Sequence, residues 1–168
     1  MINILVLCTG NSARSVLGEA LLNRLGEGRI QAYSAGSKPT GKVNPAAIRL
    51  LNAKGYDTSG YESKSWDVFT ADAAPKMDII ITVCASAAGE TCPVWPHKEG
   101  ESPLRVHMGF PDPADFGGTA AERDAAFTKV YEAQLSVFSA LASLPLADMP
   151  RTKWRDAISA IEVPDITL

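Results

Sequence analysis

The stretch that decides the fold covers residues 3–15 and reads NILVLCTGNSARS. Its first part, Asn3 to Leu7, is a short run of apolar and β-branched residues, which is typical of a strand buried on both faces. A loop of small and polar residues follows, from Cys8 to Ser15. Apolar residues then recur at helical spacing up to Leu25, so we predict a helix there. Strand, loop and helix in this order form the first half of a βαβ unit.

The same alternation continues along the chain. We predict strands at 30–35, 78–83 and 105–108, helices at 45–54 and 119–144, and a weak helix at 151–161. No helix or strand is predicted over 85–101. Strands that alternate with helices imply a parallel sheet with helices on both faces. The fold class is therefore α/β, and the architecture a three-layer sandwich.

Composition excludes several classes of protein. The chain has 168 residues, of which 46% are hydrophobic and 21% charged, as in an ordinary globular domain. Its net charge of −3 provides no basic field for nucleic acid or anionic lipid. No apolar run reaches the length of a membrane span, and we expect no secretory signal. The three cysteines suit a reducing compartment better than a disulfide framework, so we expect a cytoplasmic protein.

The loop after the first strand has the composition of a site for a tetrahedral oxyanion. Five residues separate Cys8 from Arg14, enough to curl the backbone into a cradle of N–H groups at a helix N-terminus. Arg14 can hold two oxygens through its planar fork, and the positive field favours the thiolate of Cys8. Ser15 can donate a hydrogen bond to that thiolate. The predicted substrate-binding residues are Thr9, Gly10, Asn11, Ser12, Ala13 and Arg14.

A purely structural interpretation of this loop is a small apolar cysteine at a strand end, followed by a polar helix cap. The position of the motif between a buried strand and a helix favours the catalytic interpretation instead. In that interpretation Cys8 is a nucleophile that lies under the anion and attacks its central atom.

Residues 8–15 resemble the signature loop of the low-molecular-weight protein tyrosine phosphatase fold, and more closely that of the arsenate reductases built on it. Residues 33–36, 43–47 and 109–114 resemble further segments of that fold. The resemblance covers residues 2–144. It implies a four-stranded parallel sheet of order 2-1-3-4, a catalytic domain at 1–144 and a C-terminal tail at 145–168.

The resemblance also implies that Asp112 is the general acid, flanked by Pro111 and Pro113. In the tyrosine phosphatase branch, aromatic residues follow this Asp-Pro pair and line a deep slot. Here Ala114 and Asp115 follow it, and the shallower site suits a small inorganic oxyanion such as arsenate better than a phosphorylated side chain.

Two further cysteines discriminate between the branches. Cys84 follows the strand predicted at 78–83, which places it at the same edge of the sheet as Cys8. Cys92 lies just before a proline. The resemblance implies that these thiols relay a disulfide outward after Cys8 has reacted with arsenate. A structural pair or a metal pair is the alternative, although a seven-residue gap does not fit a zinc knuckle.

The predicted function is therefore the reduction of arsenate to arsenite by an intramolecular thiol relay. The alternatives are a low-molecular-weight protein tyrosine phosphatase and a non-catalytic anion-binding module. We expect no bound cofactor and an external thiol reductant, either thioredoxin or glutathione with glutaredoxin. Asn11, Glu19 and Ser34 match positions that hold a monovalent cation in some relatives.

Overall fold

The computed structural model describes residues 1–97 and 101–168. Four strands form one parallel sheet in the order β2-β1-β3-β4, as the resemblance implies. The strands are β1 (Ile2–Leu7), β2 (Ile30–Ala35), β3 (Ile79–Thr82) and β4 (Leu104–His107). The helices are α1 (Arg14–Gly26), α2 (Pro45–Ala53), α3 (Ala85–Gly89), α4 (Ala120–Ser143) and α5 (Trp154–Ser159).

Helices α2 and α4 both begin at residues whose side chains cap them. Asn44 caps α2, and its side chain accepts a hydrogen bond from the N–H of Ala46 at 2.9 Å. Thr119 and Glu122 form a capping box at the start of α4. Both helices start within one residue of the positions predicted for them, 45 and 119.

Helix α3 contradicts the prediction that no regular element lies within 85–101. It is one short turn, and the thiol of Cys84 caps it by accepting a hydrogen bond from the N–H of Ala87 at 3.3 Å. Five residues are too few to show a helical period, so the sequence pattern gave no signal. Residues 98–100 of the predicted irregular segment lie outside the described residues.

The central strand β3 and most of its neighbour β1 are buried on both faces, whereas residues of the edge strand β4 alternate between partly buried and exposed. Alternate residues of β1 and β3 face two hydrophobic clusters. The main core contains Ile4, Val6, Ile79 and Ile81, and it includes α1 and α4. The second core contains Leu5, Leu7, Ala35, Phe69, Met77, Ile80 and Trp95.

Residues 145–168 pack against the main core. Leu146, Trp154 and Ile158 are buried there, and Arg151 pairs with Asp78 at 3.0 Å. The division into a catalytic domain at 1–144 and a tail stays a prediction. Among the described residues, no helix combines the length and the apolarity that crossing a membrane requires.

Candidate active site

The loop between β1 and α1 is held by its carbonyl oxygens. Backbone N–H groups of Lys38, Thr40 and Asn44 donate to the carbonyls of Thr9, Gly10 and Ser12, at 3.0, 3.0 and 2.8 Å. In a trans peptide the carbonyl and the next N–H point in opposite directions. The N–H groups that follow these carbonyls therefore turn toward the inside of the loop, which is the arrangement that binds an anion.

The backbone reverses at Asn11, which has a positive φ of 44°. Gly10, the neighbouring glycine, has no positive φ. Asn tolerates the left-handed region better than most residues, since its short polar side chain can bond locally. In this loop Asn11 supplies both the turn and the hydrogen bonds.

A chain of hydrogen bonds runs from Cys8 into the protein. The side-chain amide of Asn11 donates to the hydroxyls of Ser15 and Ser34, at 2.9 and 3.0 Å, and its carbonyl accepts from the backbone N–H of Lys64 at 2.8 Å. Because Ser15 accepts from Asn11, its own O–H is available to Cys8, whose sulfur lies 3.1 Å away. Ser15 is thus placed to stabilise a thiolate at Cys8.

This series of hydrogen bonds continues to Glu19, which accepts a hydrogen bond from the hydroxyl of Ser34. Burial raises the pKa of Glu19, and the bond from Ser34 and the positive charge of Lys64 oppose that rise. Asn11, Glu19 and Ser34 therefore meet, as their resemblance to a cation site requires, but cation binding stays a prediction. In residues 1–97 and 101–168, no cluster of three or more His, Cys, Asp or Glu side chains could hold a metal ion.

Arg14 lies between the loop and the Asp112 segment. Its guanidinium donates to the carbonyl of Phe110 at 3.0 Å and forms an ion pair with Asp112. Its Nε is buried and has no hydrogen-bond partner among the described residues. A buried donor without a partner is costly, so this N–H is well suited to an oxyanion in the loop. The structure thus brings the predicted anion clamp and the predicted acid into direct contact.

The sequence analysis did not predict that Gln134 and Gly36 help to position the loop. Gln134 is buried in α4, and its amide donates to the carbonyl of Arg14 at 3.0 Å. A polar residue inside the apolar stripe of α4 was the available signal. Gly36 allows close backbone approach, because a Cβ there would lie 2.4 Å from the carbonyl oxygen of Thr9.

Cys84 lies beside the oxyanion loop, as its place at the strand end predicts. Its sulfur is 3.7 Å from the hydroxyl of Thr9, which also donates to Glu90 at 3.3 Å. Cys84 is 3% exposed and belongs to the main core, as Cys8 does. Thr9 therefore lies between two cysteines of the predicted relay: it follows Cys8 in the sequence, and its hydroxyl contacts the sulfur of Cys84.

Cys92 does not lie beside the other two cysteines. It is partly buried and packs against the second core, on the other face of the sheet from Cys8 and Cys84. Burial raises the pKa of Cys92, the charge of Glu90 raises it further, and Arg105 opposes both. All three cysteines are free thiols.

The fold and the loop define a phosphatase-type protein, and comparison with known families agrees. The model of the low molecular weight phosphotyrosine protein phosphatase family matches residues 3–141. The chain belongs to this family.

The relatives at the sequence level include arsenate reductases. One from Halalkalibacterium halodurans is 37% identical over 127 residues, which are 76% of this chain and 85% of that protein. Another from Bacillus subtilis is 36% identical over 128 residues and covers the same shares.

Solved structures from both branches of the family are similar to this chain. A tyrosine phosphatase from Escherichia coli K30 in complex with sulphate has 26% identity and a TM-score of 0.63, over 84% of this chain and 97% of that one. An arsenate reductase from Archaeoglobus fulgidus has 27% identity and a TM-score of 0.53, over 80% and 98%.

Proposed function

We propose that this protein reduces arsenate to arsenite through a thiol relay that starts at Cys8. One observation carries the proposal: a second thiol, Cys84, is buried beside the oxyanion loop and contacts Thr9 of that loop. Hydrolysis of a phosphate ester requires only the first thiol. The named arsenate reductases among the relatives support the same choice.

The first step joins arsenic to Cys8. Loop N–H groups and Arg14 hold arsenate, and Ser15 donates to the thiolate. The thiolate of Cys8 attacks arsenic, a sulfur–arsenic bond forms, and one oxygen leaves as water after Asp112 donates a proton. Arg14 must exchange its ion pair with Asp112 for the oxyanion, and the freed carboxylate takes up a proton from solvent before it donates that proton to the leaving oxygen.

The second step is the reduction. The thiolate of Cys84 attacks the sulfur of Cys8, and the sulfur–arsenic bond breaks with its electron pair on arsenic. Arsenic goes from the +5 to the +3 state and leaves as arsenite. The two thiols lose two electrons and become a Cys8–Cys84 disulfide, so the electrons balance.

The third step returns Cys8 to the thiol form. Cys92 attacks Cys84, a Cys84–Cys92 disulfide forms, and Cys8 leaves as a thiolate. An external reductant, thioredoxin or glutathione with glutaredoxin, then supplies two electrons to the new disulfide. Because Cys92 lies on the other face of the sheet, residues 84–92 must rearrange before this exchange.

The test measures arsenite release from the purified protein with each thiol donor, together with hydrolysis of an aryl phosphate. We expect Cys8→Ser to abolish both activities. Cys84→Ser should stop at the arsenic adduct, and Cys92→Ser should release one arsenite and stop at the Cys8–Cys84 disulfide. Aryl phosphate hydrolysis should survive both of these changes. If the double variant C84S/C92S reduces arsenate with thioredoxin at the wild-type rate, the relay is wrong.

A tyrosine phosphatase is the second candidate, because the K30 tyrosine phosphatase shares this fold at 26% identity. Cys8, Arg14 and Asp112 are also the residue types that such a reaction needs. Efficient phosphotyrosine hydrolysis, combined with no arsenate reduction by any thiol donor, would establish this candidate instead.

A further inference from the structure

Arg105 lies over the short segment that contains Cys92. It is on the edge strand β4, in register with Ile80 of the second core, so both side chains lie on the same face of the sheet. The guanidinium carbon is 5.3 Å from the ring centroid of Trp95, and Nη2 donates to the carbonyl of Pro93 at 3.5 Å. Arg105 therefore contacts two residues, Pro93 and Trp95, that follow Cys92 closely in the sequence.

We propose that Arg105 is a positioning residue for Cys92: it fixes residues 92–95 on the sheet and provides the positive charge that favours the attacking thiolate. This inference rests on the proposed function, since only a relay requires Cys92 to attack. Trp95 is 2% exposed and packs edge-on against Trp66, with 6.3 Å between the ring centroids. This contact also holds residues 92–95 in place. Cys92 is thus the fixed end of the segment that must rearrange.

The charges around Cys92 act in opposite directions. Arg105 lowers the pKa of this thiol, whereas Glu90 and burial raise it. Glu90 is held by Thr9 of the oxyanion loop, while Arg105 belongs to the sheet. Tyr33 also packs against the second core, and burial raises the pKa of its hydroxyl, so it stays neutral near pH 7. Rearrangement of residues 84–92 can displace Glu90 but leaves Arg105 in place.

The step that Arg105 assists is a thiol–disulfide exchange. The Cys92 proton passes to solvent, and the thiolate attacks the Cys84 sulfur of the Cys8–Cys84 disulfide. The bond between Cys84 and Cys92 forms as the bond to Cys8 breaks, and the electron pair leaves on Cys8. No net oxidation occurs, so the rate depends on the thiolate fraction of Cys92 and on its position.

The first experiment does not depend on arsenate. In the reduced C8S/C84S protein, Cys92 is the remaining thiol, and the rate of its alkylation by iodoacetamide is measured against pH. Arg105→Gln should move the midpoint to higher pH, and Glu90→Gln should move it to lower pH. Arg49→Gln, at an exposed arginine paired with Asp124, is the matched control and should leave the midpoint unchanged. An unchanged midpoint in Arg105→Gln overturns the proposal.

The second experiment follows one turnover of arsenate with mass mapping of quenched samples. Arg105→Gln should accumulate the Cys8–Cys84 disulfide and form Cys84–Cys92 several-fold more slowly, with normal aryl phosphate hydrolysis. Arg105→Lys should recover part of the rate because it keeps the charge. Equal rates of exchange in Arg105→Gln and the wild type count against the proposal. If the wild type consumes no arsenate, the proposed function fails, and the alkylation experiment still decides the role of Arg105.

Discussion

At the scale of single residues, the site depends on a contact between two groups with different tasks. Arg14 is paired with Asp112, and the same guanidinium keeps a buried Nε without a partner. The ion pair holds the carboxyl group at the mouth of the loop. In the proposed mechanism an oxyanion that binds to Arg14 competes with that carboxylate, so binding of the oxyanion and release of Asp112 would be coupled.

This coupling leads to a prediction for Asp112→Asn. Arsenate turnover should fall by roughly a hundred- to ten-thousand-fold, as expected for the loss of a general acid. Binding of inorganic phosphate should not weaken, because Arg14 loses a competing partner. Steady-state turnover and the inhibition constant for phosphate measure the two effects separately. A loss confined to phosphate affinity would instead assign Asp112 to binding.

Glu19 gives a pH-dependent prediction. Its pKa in the folded protein is raised above the ordinary value of 4.5 by burial, against the effects of Ser34 and Lys64. Between those two pKa values the folded protein holds a proton that the unfolded chain has released. Stability is therefore fully present below pH 4.5 and is lost as the pH rises through the folded-state pKa.

The measurement compares the free energy of unfolding in urea for the wild type and Glu19→Gln from pH 4 to pH 8. Glu19→Gln should lack the loss of stability in that window, so the wild type should fall relative to the variant as the pH rises. Glu132→Gln, at an exposed position of α4, is the control. A parallel pH dependence in wild type and Glu19→Gln would refute the prediction.

At the scale of elements, the oxyanion loop is shaped by the end of the neighbouring strand. Gly36 follows β2, and a Cβ there would lie 2.4 Å from the carbonyl oxygen of Thr9 and 2.9 Å from that of Cys8. Neither backbone atom can move without distorting the loop. The packing of β2 against β1 thus helps to determine the position of Cys8, the predicted nucleophile.

Gly36→Ala should therefore lower both arsenate reduction and aryl phosphate hydrolysis, and it should cost about 1–3 kcal/mol of stability, as overpacking typically does. Gly60→Ala is the matched control, since a Cβ there meets no atom within 4 Å. Kinetics and urea unfolding of the two variants provide the comparison. Normal activity in Gly36→Ala would mean that the loop tolerates a shift of its carbonyls.

At the scale of the whole molecule, the sequence predicts those features of the fold that depend on residues close together along the chain. Apolar strand runs, the helical spacing of apolar residues and the distance from Cys8 to Arg14 all lie within short windows of the sequence. They predicted the order of the elements and the location of the loop. The supporting contacts join distant residues: Gln134 reaches Arg14 across 120 positions, and Lys64 reaches Asn11 across 53. Nothing in a local window determines such pairs, because they arise only when helices and loops pack.

The C-terminal segment is the largest such case. The sequence contains no functional motif in residues 145–168 and predicts only a tail. In the structure, however, Trp154 is 7% exposed and packs in the main core with Leu146 and Ile158. The indole N–H also donates to the carbonyl of Leu146 at 3.1 Å. Residues 145–168 should therefore unfold together with the sheet rather than as a separate appendage.

Trp154→Ala should lower the free energy of unfolding by about 3–5 kcal/mol, the range for removing a large buried aromatic side chain. Trp154→Phe should cost less, because it keeps most of the apolar volume and loses only the N–H donor. Arg151→Ala removes a partly exposed ion pair with Asp78 and should cost about 1 kcal/mol or less. Urea unfolding followed by circular dichroism should show one cooperative transition that shifts in this order. An unshifted main transition in Trp154→Ala would show that the segment contributes nothing to the core, because a tail that only rests on the sheet can be lost without destabilising it.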